Sequence, residues 1–202
     1  MSDHLAPHWG SAALVVIDMQ ADFTTIDGTV EVIPQVSALA AAFRAAGRPI
    51  VHIVRLYAPG SADIDLPRRA LENPPVAPGT AGSEIVAGLP APVTLDPALL
   101  LSGRPQPVGE DEIVLFKPRW GAFYRTDLES WLRERGVDTV VVAGCNLPNC
   151  PRATLFEASE RDFRTVIVFD AVSQTSGERL ADLASIGVNV LSAADVTGSL
   201  PG

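Results

Sequence analysis

Cysteine is scarce: the 202-residue sequence holds two, Cys145 and Cys150. A pair so close together in a chain of this size is no disulfide framework, which fits a reducing, cytoplasmic setting. Histidine is nearly as rare. Of the three, His4 and His8 fall in an N-terminal extension and His52 lies inside an apolar segment, where a packed or hydrogen-bonded structural role is expected. A Cys-His nucleophile pair would have to rely on that one residue. No apolar run is long enough to span a bilayer, and Met1-Ser2-Asp3-His4-Leu5 has neither the basic nor the apolar region of a signal peptide. Lys and Arg are not clustered: fifteen against 24 acidic residues leave a net charge of −9, spread along the chain. That balance disfavours nucleic acid and anionic membrane surfaces as partners.

Apolar residues make up 47% of the chain, enough for one well-buried domain spanning residues 1–202. Near-continuous apolar runs at Ala13-Ile17, Ile50-Val54, Ile113-Phe116, Thr139-Ala143, Thr165-Phe169 and Val188-Leu191 read as strands buried on both faces. Helices between them are marked by Val36, Leu39, Ala40 and Phe43 at helical spacing, with Pro34 near the start and Gly47 after the end. Thr126 with Glu129 forms a capping box for a helix burying Leu128, Trp131 and Leu132 and closed by Gly136. A further helix covers Glu178 to Ser185. Strands alternating with helices predict an α/β domain with a parallel sheet covered on both faces. Residues 57–112 interrupt the rhythm and hold ten of the seventeen prolines. This stretch is predicted to be an excursion over the rim, part wall and part lid, with a short helical piece around Ser83-Glu84-Ile85-Val86.

Three strands run into chemically active groups. Val15-Val16-Ile17 leads to Asp18, Val114-Leu115-Phe116 to Lys117, and the strand before Gly144 through Asn146, Leu147 and Pro148 to Cys150. Ligands bind at the carboxyl ends of strands in open α/β sheets. Pro151 suits a first helical position, which makes Cys150 the expected helix N-cap, with the helix dipole favouring a thiolate. With histidine so scarce, the base for Cys150 is a carboxylate, Asp18, oriented by Lys117. Asp18 and Lys117 could instead form a structural ion pair alone, but the agreement of three strand ends favours a site. Phe23, Tyr57, Trp120 and Phe123 fall near the same rim as candidate substrate contacts, with core packing the alternative for each. Cys145 reads as a small buried hydrophobe, and Arg152, Arg161 and Arg164 as solvated or helix-paired charges, Arg152 being near enough to influence Cys150.

These segments resemble the isochorismatase-like cysteine hydrolases. The resemblance rests on Leu14-Val15-Val16-Ile17-Asp18-Met19-Gln20-Ala21-Asp22-Phe23, on Lys117 followed by Gly121-Ala122-Phe123, on Gly144 six residues before Cys150, and on Pro78-Gly79-Thr80-Ala81-Gly82-Ser83-Glu84-Ile85. It implies a Rossmann-like three-layer α/β/α fold with a six-stranded, mainly parallel sheet, and an Asp18-Lys117-Cys150 catalytic triad. It also implies an oxyanion hole from the backbone N–H groups of Asn146 and Cys150, a cis Cys145-Asn146 peptide, and a homodimer or higher homo-oligomer. The metal motif Asp-x-His-x-His of the family's nicotinamidases is replaced by Arg55-Leu56-Tyr57-Ala58-Pro59, so no metal and no cofactor is expected. The implied activity is hydrolysis of a small amide or lactam through a thioester. Vinyl ether hydrolysis of the isochorismatase type and a non-catalytic binding domain are the alternatives. Gly144-Cys145-Asn146-Leu147-Pro148-Asn149-Cys150-Pro151-Arg152 is further similar to streptothricin hydrolase-like members, which open a lactam in a cationic antibiotic.

Overall fold

Apolar runs with no polar alternation can bury both faces, and each of the six becomes a strand in the computed structural model, which describes residues 4–89 and 93–201. The strands are β1 (Ala12–Ile17), β2 (Ile50–Val54), β3 (Gln106–Gly109), β4 (Glu112–Phe116), β5 (Thr139–Gly144), β6 (Arg164–Val172) and β7 (Asn189–Leu191). They form one seven-stranded sheet in the order β3-β4-β2-β1-β5-β6-β7. All neighbours are parallel except β3 and β4. The six-strand expectation falls one short because β3 lies in the proline-rich excursion and includes Pro107. An edge strand has a neighbour on one side only, so it can lack an N–H there.

The helices are α1 (Thr29–Ala45), α2 (Leu66–Arg69), α3 (Pro97–Leu101), α4 (Leu128–Glu134), α5 (Cys150–Ser159), α6 (Gly177–Ser185) and α7 (Ala193–Ser199). One sheet face packs Leu14, Val16 and Val141 against Val36, Leu39 and Phe43 of α1 and Val196 of α7. The opposite face packs Val15, Ile17 and Val142 against Leu128 and Leu132 of α4, Leu155 of α5 and Leu183 of α6. Among the described residues no helix is long and apolar enough to cross a membrane.

Local signals mislead in three places. Helix α1 starts at Thr29, after Gly28 at φ 80°, and Pro34 sits inside it. Thr29 and Val32 are buried and extend the apolar face of Val36, Leu39 and Phe43 backwards, so packing overrides the proline. The Thr126–Glu129 capping box does not form. Asp127 is the N-cap without a side-chain bond, Thr126 donates to the Ala122 carbonyl, and Glu129 pairs with Arg161 at 3.1 Å. The short helical piece expected around Ser83-Glu84-Ile85-Val86 is a 3-10 helix displaced to Ala81–Ser83, because Ile85 bridges to Gln20 instead. Residues 1–3 of the N-terminal segment and 90–92 of the excursion lie outside the described residues.

Candidate active site

Sheet register brings the reactive residues to one level. Ile17 pairs with Ile53 and with Gly144, and Val54 pairs with Phe116. The ladder runs on past the strand ends, with Asp18 N–H donating to Ile53 O at 2.9 Å, Lys117 N–H to Val54 O at 3.0 Å and Cys145 N–H to Ile17 O at 2.8 Å. Asp18, Arg55, Lys117 and Cys145 therefore leave the sheet side by side, and α5 delivers Cys150 onto the same rim. Gly144 makes the close crossing possible. Its φ is +115°, and a Cβ there would lie 2.2 Å from Ile17 O.

Lys117, the only lysine in the sequence, is fully buried and donates from Nζ to Asp18 Oδ2 at 2.8 Å. Asp18 Oδ1 has no such partner, which leaves it for the Cys150 thiol beside it. Cys150 is the first residue of α5, with Asn149 rather than Cys150 as N-cap. The helix end is expected to make the thiolate form more readily than in free cysteine, and burial reverses that. Burial, followed by the charge and hydrogen bonding of Asp18, pushes the Cys150 thiol up to about 11 against 9.0 for a free thiol, although Lys117 and Arg55 pull it down. That difference is about 3 kcal/mol against the charged form, while a helix end supplies about 0.3–1 kcal/mol for it. Burial wins, so the thiol is protonated at neutral pH.

The Cys145-Asn146 peptide is cis. In the loop before α5, Leu147 N–H donates to Ser173 O at 3.0 Å and Asn149 N–H to Asn146 O at 3.1 Å. The N–H groups of Asn146 and Cys150 have no acceptor among the described residues. Asn146 Nδ2 donates to Gln174 Oε1, and Asn149 Nδ2 to Asn146 Oδ1, both at 2.9 Å. These bonds fix the loop.

Asp18, Cys150, Asn146 and Asn149 line a cavity with Phe23, Tyr57 and Trp120. Three of the four candidate aromatics are thus at the site. Phe123 is not: it is buried against Phe163, ring centroids 5.7 Å apart, because its N–H is tied to Glu157 of α5. The Arg152 guanidinium carbon lies 5.7 Å from the Phe156 ring. Cys145 is buried and accepts from Thr29 Oγ1 at 3.3 Å. His52 is buried against Glu112 at 2.6 Å, as expected for a structural group, whereas Arg164 is neither solvated nor helix-paired but pairs with Asp138 just before β5.

Sequence reasoning missed Arg55. Its side chain is 1% exposed and lines the cavity, and its guanidinium lies 5.2 Å from the Trp120 ring and 5.5 Å from that of Tyr57. Gln20 holds its backbone, accepting from Arg55 N–H at 2.7 Å and donating to Arg55 O at 2.8 Å. From the excursion, α2 contributes Arg68, also in the cavity wall, and Asp65 stands at 3.4 Å from Arg55 Nη1. The signal was an arginine directly after the strand Ile50–Val54, the place where Asp18 and Lys117 follow theirs.

Known proteins resemble this chain over most of its length. The Isochorismatase domain family matches residues 12–198. A protein of Arabidopsis thaliana named "Probable inactive nicotinamidase" is 32% identical over 199 residues, covering 91% of this chain and 93% of its own. A maleamate amidohydrolase of Pseudomonas putida is 31% identical over 177 residues, covering 84% and 74%. A solved isochorismatase family protein from Desulfovibrio vulgaris superposes with a TM-score of 0.79 at 32% identity, covering 93% of this chain and 97% of that one. Further matches are named as ureidoacrylate amidohydrolases and as an N-carbamoylsarcosine amidase.

Proposed function

The chain belongs to the isochorismatase family, and from that premise we propose that it hydrolyses a small amide or lactam through a thioester on Cys150. The protein is a hydrolase of non-peptide carbon–nitrogen bonds, like its relatives named as amidohydrolases and amidases. The observation that carries the finer reading is a buried thiol sharing a cavity with a carboxylate that influences it directly and whose other oxygen is held by Lys117 at 2.8 Å.

In the proposed cycle, Asp18 Oδ1 takes the thiol proton as Cys150 Sγ attacks the carbonyl carbon. The carbonyl electron pair moves to oxygen, which the N–H groups of Asn146 and Cys150 receive. As the intermediate collapses, the C–N bond breaks and Asp18 returns the proton to the leaving nitrogen. Water then attacks the thioester, giving a proton to Asp18. The C–S bond breaks, the acid leaves and the thiol is reprotonated. Lys117 holds Asp18 in place through its hydrogen bond to Oδ2. A cytoplasmic homo-oligomer with residues 1–202 as one catalytic domain completes the proposal.

Cys150→Ala should abolish amide hydrolysis, a loss of several powers of ten, while circular dichroism and melting stay near wild type. Intact-mass analysis of wild type mixed with a slow amide should show the acyl adduct. Near wild-type turnover by Cys150→Ala would remove covalent catalysis and favour acid-catalysed vinyl ether hydrolysis.

A further inference from the structure

We propose that the substrate of this site carries a carboxylate, gripped by the free edge of Arg55; the inference rests on the amidase reading above. Arg55 is fully buried yet incompletely used. Nη1 donates to Pro118 O at 2.9 Å and stands 3.4 Å from Asp65 Oδ2. Nε and Nη2 have no acceptor among the described residues. In a guanidinium these two N–H bonds run parallel along one edge and match the two oxygens of a carboxylate. A buried donor left unpaired costs about 1–3 kcal/mol, more when charged, so two on one edge, in the wall of a reaction cavity, point to a ligand.

The charges around the cavity select the same ligand. Arg55, Arg68 and Lys117 face Asp18 and Asp65, and the thiol is neutral at physiological pH. The site is therefore net positive in a protein whose total is −9. An anion is drawn in, and a cationic lactam is disfavoured. Trp120 lies within 5.3 Å of both guanidinium carbons, those of Arg55 and Arg68, which limits how far either can swing away.

The competing role for Arg55 is purely structural, as counter-ion to Asp65. Wild-type enzyme should therefore be assayed with succinamate, uncharged butyramide and cationic 4-aminobutyramide. Succinate binding should be measured by calorimetry on the wild type, Cys150→Ala, Arg55→Gln and Arg55→Lys. A kcat/KM order of succinamate, then butyramide, then 4-aminobutyramide is expected. The succinamate-to-butyramide ratio should fall about ten- to a hundredfold in Arg55→Gln, as for loss of a charge-assisted pair. Arg55→Lys keeps the charge but not the fork and should also weaken succinate, whereas Cys150→Ala, which retains Arg55, should still bind it measurably. A merely structural Arg55 would lower both amides together and leave the ratio unchanged, which overturns the proposal. So would wild-type indifference between succinamate and butyramide, a result that needs no variant. Arg55-dependent succinate binding without turnover of any amide would sustain the carboxylate grip and sink the amidase reading instead.

Discussion

At the scale of single residues, Cys150 shows how burial and position can oppose one another. The first turn of α5 favours a thiolate, but the cavity removes the water that would solvate one. With its value at about 11, the thiol is protonated at neutral pH, and in the proposed cycle it reacts as Asp18 accepts its proton. Iodoacetamide alkylation of Cys150, followed by peptide mass, should rise about tenfold per pH unit from pH 7 to 10 without levelling, where a free thiol would bend near 9.0. A plateau near pH 7 would mean a preformed thiolate. Lys117→Met should slow alkylation further, because Lys117 lowers the thiol's value. It should also destabilise the fold by about 3–5 kcal/mol by leaving Asp18 buried and unpaired. If the folded fraction of Lys117→Met alkylates at the wild-type rate, Lys117 is structural only. Asp18, Lys117 and Cys150 were legible in the sequence because each follows an apolar strand and carries recognisable chemistry. Arg55 follows one too, yet an arginine is ordinarily read as a surface charge, and only the fold reveals that Trp120 and α2 close over it.

At the scale of elements, strands were more legible than the segments joining them. Six apolar runs could be read because burial on both faces leaves one choice of residue type. The start of α1, the Thr126 cap and the edge strand β3 escaped because tertiary partners decide them: Val32 against the sheet, Glu129 against Arg161, and β4 beside Pro107. Glycines separate in the same way. Gly136 ends α4 at φ +66° with nothing within 4 Å of the place a Cβ would take, whereas a Cβ on Gly144 would lie 2.2 Å from Ile17 O and 2.7 Å from Ile17 N. Backbone of a central strand cannot yield as a surface side chain can. Gly136→Ala should cost about 1 kcal/mol, read from urea midpoints. Gly144→Ala should cost at least about 3 kcal/mol or prevent folding, and a variant within about 1 kcal/mol of wild type would show that β1 and β5 can move apart.

At the scale of the molecule, the two ends of the sheet do opposite work. The carboxyl ends leave polar atoms open for chemistry: Asp18 Oδ1 and Arg55 Nε and Nη2. The amino ends carry carboxylates with several partners. Glu112, opening β4, accepts from Arg44 Nε at 2.6 Å and meets His52 Nε2 at 2.6 Å. Asp138, just before β5, meets Ser11 at 2.7 Å, His8 at 2.6 Å and Arg164 at 3.1 Å. Burial pushes the Glu112 carboxyl up, but the hydrogen bonds from His52 and Arg44 outweigh it and hold the carboxyl below its ordinary 4.5. Asp138 is likewise held low, burial being outweighed by Ser11, Thr139 and His8. A lowered folded value means that the unfolded chain binds protons first as pH falls. The contribution is therefore complete above the ordinary carboxylate value and drains as pH drops through the folded one. On the alkaline side Cys150 at about 11 and Tyr57, raised by burial to about 12, hold their protons in the fold longer than in the unfolded chain. Their contribution is present below the ordinary 9.0 and 10.0 and is lost as pH climbs through the folded values. Melting temperature should thus be flat between about pH 5 and 8 and fall on both sides. Glu112→Gln should lower it at pH 7 by the equivalent of about 1–3 kcal/mol and flatten the acid slope, since an amide does not titrate there. An acid limb as steep in Glu112→Gln as in wild type would assign that slope to other carboxylates and remove the β4 end of the sheet from the pH response.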